Sequence, residues 1–141
     1  MFAMGYKQGE HKGDIELSVW GADFQELCSD AVRGLAELLL DEKIVDSTAK
    51  EEVLAKVRGY DREEKLIALL NNCLKLFYIE GIVCISVDWL SEEGEELRAK
   101  LRASSLSGGE ERYLEIKAAT FHRLEIKRSE RGLEARVVFD I

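Results

Sequence analysis

Twice in this chain the spacing of apolar residues changes from two to three-and-four, each time at an aspartate followed three residues later by a glutamate. In the first case Ile15, Leu17 and Val19 alternate with Glu16, Ser18 and Trp20 up to Gly21, the pattern of a strand buried on one face. Asp23 and Glu26 then form a capping box with aspartate in place of serine. Each side chain satisfies a backbone donor that the first helical turn leaves open. Phe24, Leu27, Cys28, Ala31, Leu35, Leu38 and Leu39 follow as one apolar stripe and predict a helix to about Glu42. In the second case Val53, Ala55 and Val57 alternate before Gly59, and Asp61 with Glu64 repeats the cap. The second helix is expected to run to about Ile79. Its apolar set of Leu66, Ile67, Leu69, Leu70, Cys73, Leu74 and Phe77 is wide enough to be covered on more than one side. Gly81 supplies the stop, since glycine adopts the left-handed conformation at little cost.

The remainder reads as strands. Residues 82–90 and 97–105 predict a hairpin around an acidic turn at 91–96, and 104–112, with its serines and glycines, predicts a mobile loop. Short strands are expected at 113–119 and 124–128, on either side of Thr120-Phe121-His122. After a turn at 129–132, the last strand places Leu133, Ala135, Val137 and Phe139 on one face. The order β-α-β-α-β-β-β-β-β is that of an α+β domain, two helices packed on a largely antiparallel or mixed sheet. Beyond the two caps there is no internal repeat, and no linker divides residues 1–141, so a single domain is expected.

Composition narrows the function. With 46% hydrophobic residues the chain can bury a core, which excludes global disorder. Its net charge, 20 − 28 = −8, opposes salt-driven nucleic-acid binding over a broad face and opposes a membrane-surface role. No segment approaches the ~20 apolar residues of a membrane helix, and residues 1–12 lack the pattern of a signal peptide. A cytoplasmic location is expected. Cys28, Cys73 and Cys84 are odd in number, widely spaced and set in apolar runs, which predicts buried free thiols. The P-loop, the dinucleotide-binding glycine motif, the nucleophile elbow and the zinc-protease helix are all missing.

What chemistry the sequence offers lies near its two ends. His11 precedes Asp14 by three residues at the lip of the first strand. The pair reads as a metal site, an acid–base pair or a solvated loop pair. His122 stands between two strands after Lys117 and Thr120 and reads as a hydrogen-bonded structural residue. Asp140-Ile141 gathers several oxygens within a few ångströms, a cluster that hard cations such as Ca²⁺ or Mg²⁺ choose. The alternative is a frayed, solvated tail. Apolar alternation up to Phe139 favours an end held in the sheet.

These residues also carry a family resemblance. The segment Glu115-Ile116-Lys117-Ala118-Ala119-Thr120-Phe121-His122-Arg123-Leu124 resembles the K-A-x-T-Y/F-H-x-L motif of archease. Ala135-Arg136-Val137-Val138-Phe139-Asp140-Ile141 is similar to the A-R-V-I/V-L/F-D-I/L/V ending of that family. Glu10-His11-Lys12-Gly13-Asp14 stands where archease carries E-H-T-A-D, and Leu70-Asn71-Asn72 matches the L-N-E portion of D-W-L-N-E-L-L. The likeness covers nearly the whole chain. Departures fall at Lys12-Gly13, at Ala68-Leu69 where many members have Asp-Trp, and at Phe77-Tyr78 in place of a frequent His-Asp.

The resemblance implies an accessory protein with no catalysis of its own. Archease activates the GTP-using ligase that joins tRNA halves, promoting guanylylation of the ligase and so its multiple turnover. By match to the family site, Asp14, Asp140 and the Ile141 main chain would hold a divalent cation, Ca²⁺ foremost, with Mg²⁺, Mn²⁺ and Zn²⁺ as alternatives. His11, Lys12, Lys117, Thr120 and His122 would support the site or meet the partner, and Lys12 would oppose the cation or pair with Asp14. The expected partner is the ligase itself, whose basic RNA-binding surface suits an acidic protein. Two other readings stand beside this one: a general chaperone or modulator of RNA-processing enzymes such as tRNA methyltransferases, and a metal-dependent phosphoester hydrolase built on His11, Asp14, His122 and Asp140. The hydrolase lacks an identifiable nucleophile and base pair.

Overall fold

In the computed structural model, residues 6–11, 13–40, 50–106 and 114–141 are described; the side chains of 6–11 are not. The elements run β1 (Tyr6–His11), β2 (Asp14–Gly21), α1 (Phe24–Leu40), β3 (Glu51–Arg58), α2 (Arg62–Lys75), β4 (Ile82–Glu93), β5 (Glu96–Ser105), β6 (Ala118–Thr120), β7 (Lys127–Ser129) and β8 (Gly132–Asp140). The class is α+β, as the sequence predicts. Among the described residues the strands divide into two sheets, ordered β1-β2-β8-β6, with β7 also on β8, and β3-β5-β4. Every pairing is antiparallel.

The two strand-to-helix joints are built alike. Asp23 Oδ1 accepts from Glu26 N and Asp61 Oδ1 from Glu64 N, both at 2.8 Å. In return Glu26 Oε1 accepts from Ala22 N at 3.1 Å and Glu64 Oε1 from Tyr60 N at 2.7 Å. Two residues before each capping aspartate stands a glycine, for a steric reason. A Cβ on Gly21 would stand 2.5 Å from Leu27 N, and one on Gly59 2.6 Å from Lys65 N. The sequence has no repeat beyond Gly-x-Asp-x-x-Glu, yet the backbone turns the same corner twice.

Helix α1 packs on β2 and β4, and α2 on β3 and β6, so each helix touches both sheets. Ile15, Leu17, Val19, Val137 and Phe139 from one sheet and Ala55, Ile85, Leu97, Ala99 and Leu101 from the other meet Leu27, Leu35, Leu39, Leu66, Leu69 and Leu70 in one core. α2 is covered widely, as its broad apolar set predicts. Cys28, Cys73 and Cys84 are buried and free. Burial pushes the Cys28 thiol up, and a hydrogen bond with Cys84, together with burial, does the same for Cys73. Neither Cys28 nor Cys73 is poised to ionise.

Polar side chains tie the second sheet to the helices. Lys65, only 5% exposed, donates to Gly94 O at 2.9 Å and reaches Glu92 Oε1 at 3.3 Å. Arg62 bridges Glu92 Oε2 at 2.9 Å while its guanidinium lies 4.6 Å from the centre of the Phe24 ring. Burial would raise the Glu92 carboxyl, but hydrogen bonds from Arg62 and Lys65 outweigh it and hold that carboxyl below the usual range. Along the free side of β4, Ser29 Oγ accepts from Val87 N at 3.0 Å and Gln25 Nε2 donates to Asp88 O at 3.3 Å. Thus α1 caps that edge.

Several boundaries differ from expectation. β1 forms where no strand is expected, as the first arm of a hairpin that turns at Gly13, whose φ is +80°. The predicted acidic turn at 91–96 is mostly strand: β4 and β5 continue to Glu93↔Glu96, leaving Gly94-Glu95 as the turn. The second helix does reach its expected end near Ile79 with Gly81, at φ +67°, as the stop, but its last turn, Leu76–Glu80, is π-helical. The strand expected at 113–119 is reduced to 118–120, and that expected at 124–128 shifts to 127–129. The end of α1 near residue 42 and most of the predicted mobile loop lie outside the described residues. No helix among the described residues is long and apolar enough to cross a membrane.

Candidate cation and partner site at the end of the central strands

Strand β8 lies between β2 on one side and β6 and β7 on the other. Its register sets Asp140 opposite Asp14 of β2 and Ala118 of β6, while Asp14 is also opposite His11 of β1. Strand alternation decides which way these carboxylates point. Ile15 and Phe139 face the core, so Asp14 and Asp140 face out together. Directly opposed residues have Cβ atoms about 5 Å apart, where like charges repel.

Asp14 carries a further anomaly. Its Oδ1 is buried and has no hydrogen-bond partner. A buried, unpaired carboxylate oxygen is costly and calls for a bound ion or water. Beside it a cavity of about 240 Å³ is lined by Asp14, Glu16, His122, Arg123, Arg136 and Val138. Arg123 and Arg136 make the cavity itself a poor seat for a cation; the oxygen donors that suit a hard divalent cation are those of Asp14 with Asp140, which does not line it. Among the described residues no three His, Cys, Asp or Glu side chains cluster as metal ligands. Any cation here would therefore depend on the two aspartates and on main-chain oxygen, such as that of Ile141.

The segment that follows β6 is folded over this face by the helix beneath it. Asn71 clamps Ala119 with both ends of its amide: Oδ1 accepts from Ala119 N at 2.8 Å and Nδ2 donates to Ala119 O at 3.2 Å. Tyr78 Oη accepts from Ile116 N at 2.9 Å, and Glu63 Oε2 accepts from Ile126 N at 2.9 Å. Side chains of α2 and its π-turn thus do for residues 116–126 what a neighbouring strand would otherwise do. Between them, Phe121 to Leu124 makes a turn closed by Leu124 N donating to Phe121 O at 2.9 Å, with Arg123 at φ +54°. Non-glycine residues seldom adopt that conformation.

The expected site residues fall out as follows. Asp14 and Asp140 are brought together, and exposed Ile141 follows directly. Lys117 N donates to Asp140 O at 2.7 Å, and the Lys117 side chain is exposed. Thr120 Oγ1 donates to Val138 O at 3.0 Å and lies 3.4 Å from His122 N, which places His122 at the cavity wall with Asp14. The backbone of His11 sits across from Asp14; its side chain, and Lys12 altogether, lie outside what is described. Sequence reasoning missed Arg123 and Arg136, which line the cavity, and the clamp formed by Asn71 and Tyr78. The match at Leu70-Asn71 was the available signal for the clamp.

Comparison with known proteins agrees with the fold. Residues 6–141 match the sequence model of the archease protein family (MTH1598/TM1083). A protein archease of Archaeoglobus fulgidus is 31% identical over 98% of this chain and 100% of its own length, and one from Methanosarcina mazei is 30% identical over 96% and 95%. The solution structure of Methanobacterium thermoautotrophicum protein 1598 superposes with a TM-score of 0.74 at 26% identity, covering 98% of this chain and 99% of that one. The crystal structure of an archease from Thermotoga maritima, described as a possible chaperone, gives 0.55 at 26% identity, covering 96% of both chains. This chain belongs to the archease family.

Proposed function

We propose that this protein is an accessory factor that activates a tRNA-splicing RNA ligase, raising its guanylylation and turnover through the acidic end of the β2–β8 pair. The observation that carries this reading is the outward opposition of Asp14 and Asp140, with the buried Oδ1 of Asp14 left unpaired. Membership of the archease family supplies the partner class. Asp14, Asp140 and the Ile141 main chain would hold a divalent cation, which would neutralise the opposed carboxylates. Thr120 fixes the strand beside them, His122 walls the cavity, and the exposed Lys117 side chain stands free to meet the partner or a phosphate.

The test is multiple-turnover ligation by a cognate ligase with GTP and a trace of this protein. Wild type should sustain turnover, and Asp140→Ala should leave a single-turnover burst. A wild-type protein without effect would overturn the proposal. The chaperone description attached to the Thermotoga maritima relative favours a second reading, protection of RNA-processing enzymes from aggregation. That activity should survive Asp14→Ala and Asp140→Ala.

A further inference from the structure

The two edges of the three-stranded sheet are finished differently. Ser29 and Gln25 of α1 bond the outer edge of β4, whereas no described element hydrogen-bonds the outer edge of β3. Eight residues of extended backbone, Glu51–Arg58, run along that open edge. Open edges are commonly protected by charge or by a bulge. Here β3 carries charge at both ends but no bulge: it pairs with β5 without a register shift, and Leu54, 73% exposed, stands in the middle of its outer face.

The charges on this strand are ordered. Glu51 and Glu52 occupy its first positions, and Lys56 and Arg58 its last. Reversed on itself, such a strand meets opposite charge at both ends. We propose that β3 pairs antiparallel with β3 of a second copy of this chain about a two-fold axis at Ala55, joining two three-stranded sheets into one of six.

The register follows from excluding alternatives. A pairing that keeps Val53, Ala55 and Val57 on the inner side must be centred on a residue rather than between two. Centring on Lys56 opposes two ammonium groups. Centring on Leu54 opposes Lys50 to Arg58. Centring on Ala55 sets Glu52 against Arg58 twice, Leu54 against the Lys56 stem twice and Val53 against Val57 twice, with no like charges opposed. The existing Arg58–Glu95 bridge, 3.3 Å long and exposed on both sides, is a weak competitor.

The test is sedimentation equilibrium of the whole chain across concentration and salt. Wild type should show a reversible dimer that weakens as salt rises. Glu52→Arg and Arg58→Glu should each weaken it by about tenfold, since two attractive pairs become repulsive. An equimolar mixture of the two variants should dimerise again, because each then offers what the other lacks, and the double variant should recover the homodimer. The mixture also controls for folding, since a misfolded variant cannot be rescued by its complement. A monomer at every concentration, or a dimer indifferent to all four proteins, would overturn the proposal.

Discussion

At the scale of single residues, the most informative atoms are carboxylate oxygens in the wrong surroundings. Asp14 and Asp140 stand opposed across a strand pair, so a cation bound between them, as proposed, should stabilise the fold. Millimolar Ca²⁺ is expected to raise the thermal midpoint of wild type by a few degrees and to leave Asp140→Ala unmoved, as read by calorimetry. Asp30 is misplaced for another reason. Burial pushes its carboxyl up to about 7, the nearby charge of Glu26 adds to the rise, and Arg33 opposes it. The folded state thus holds the Asp30 proton more tightly than the unfolded chain does. Its contribution is complete below the unfolded value and is lost as pH rises through about 7. Asp30→Asn should therefore stabilise the protein by about 1 kcal/mol at pH 8, after discounting for solvent around a partly exposed group, and be neutral near pH 4. A gain of equal size at both pH values would contradict this account.

At the scale of elements, helix α2 does most to shape the site without entering it. Removing the Asn71 amide leaves both backbone groups of Ala119 without their partner. Asn71→Ala should cost about 2 kcal/mol in urea unfolding, and hydrogen exchange should quicken at residues 116–126 before it does in β4 and β5. The other end of α2 rests on Glu92. Glu92→Ala would leave the buried Lys65 ammonium with Gly94 O alone and should cost about 2 kcal/mol at neutral pH. Because the Glu92 carboxyl is held low, this stabilisation stands above the unfolded value and fades as pH falls through the folded one.

These elements also show what a sequence makes legible. β2, β3 and β8 are read from alternation and both helix starts from their caps, because a half-buried strand and an open helical turn leave local marks. β1 leaves none: Tyr6–His11 is largely polar, and its place is set by hydrogen bonds to β2. Residues 114–117 alternate like a strand, with Ile116 buried, but side chains rather than a ladder satisfy Ile116 N and Ala119. The pairing of Asp14 with Asp140 joins residues from opposite ends of the chain and depends on the register of two strands, which no local pattern encodes. The family resemblance brought them together beforehand, and the geometry gives a physical reason.

At the scale of the whole molecule, the sheets differ in how far along the chain their strands are drawn. β3, α2, β4 and β5 are contiguous, from Glu51 to Ser105, whereas β2 must meet β8 across more than a hundred residues. Long loops slow pairing more than they weaken it. The three-stranded unit is thus expected to gather early in folding, with the β2–β8 seam zipping last. Pulse-labelling during refolding should protect amides of β4 and β5 before those of β8. The opposed aspartates sit at one end of that late seam, so a partly folded chain would carry helices and half its strands but not the paired carboxylates. The outward-facing acidic pair would then be a mark that folding has finished.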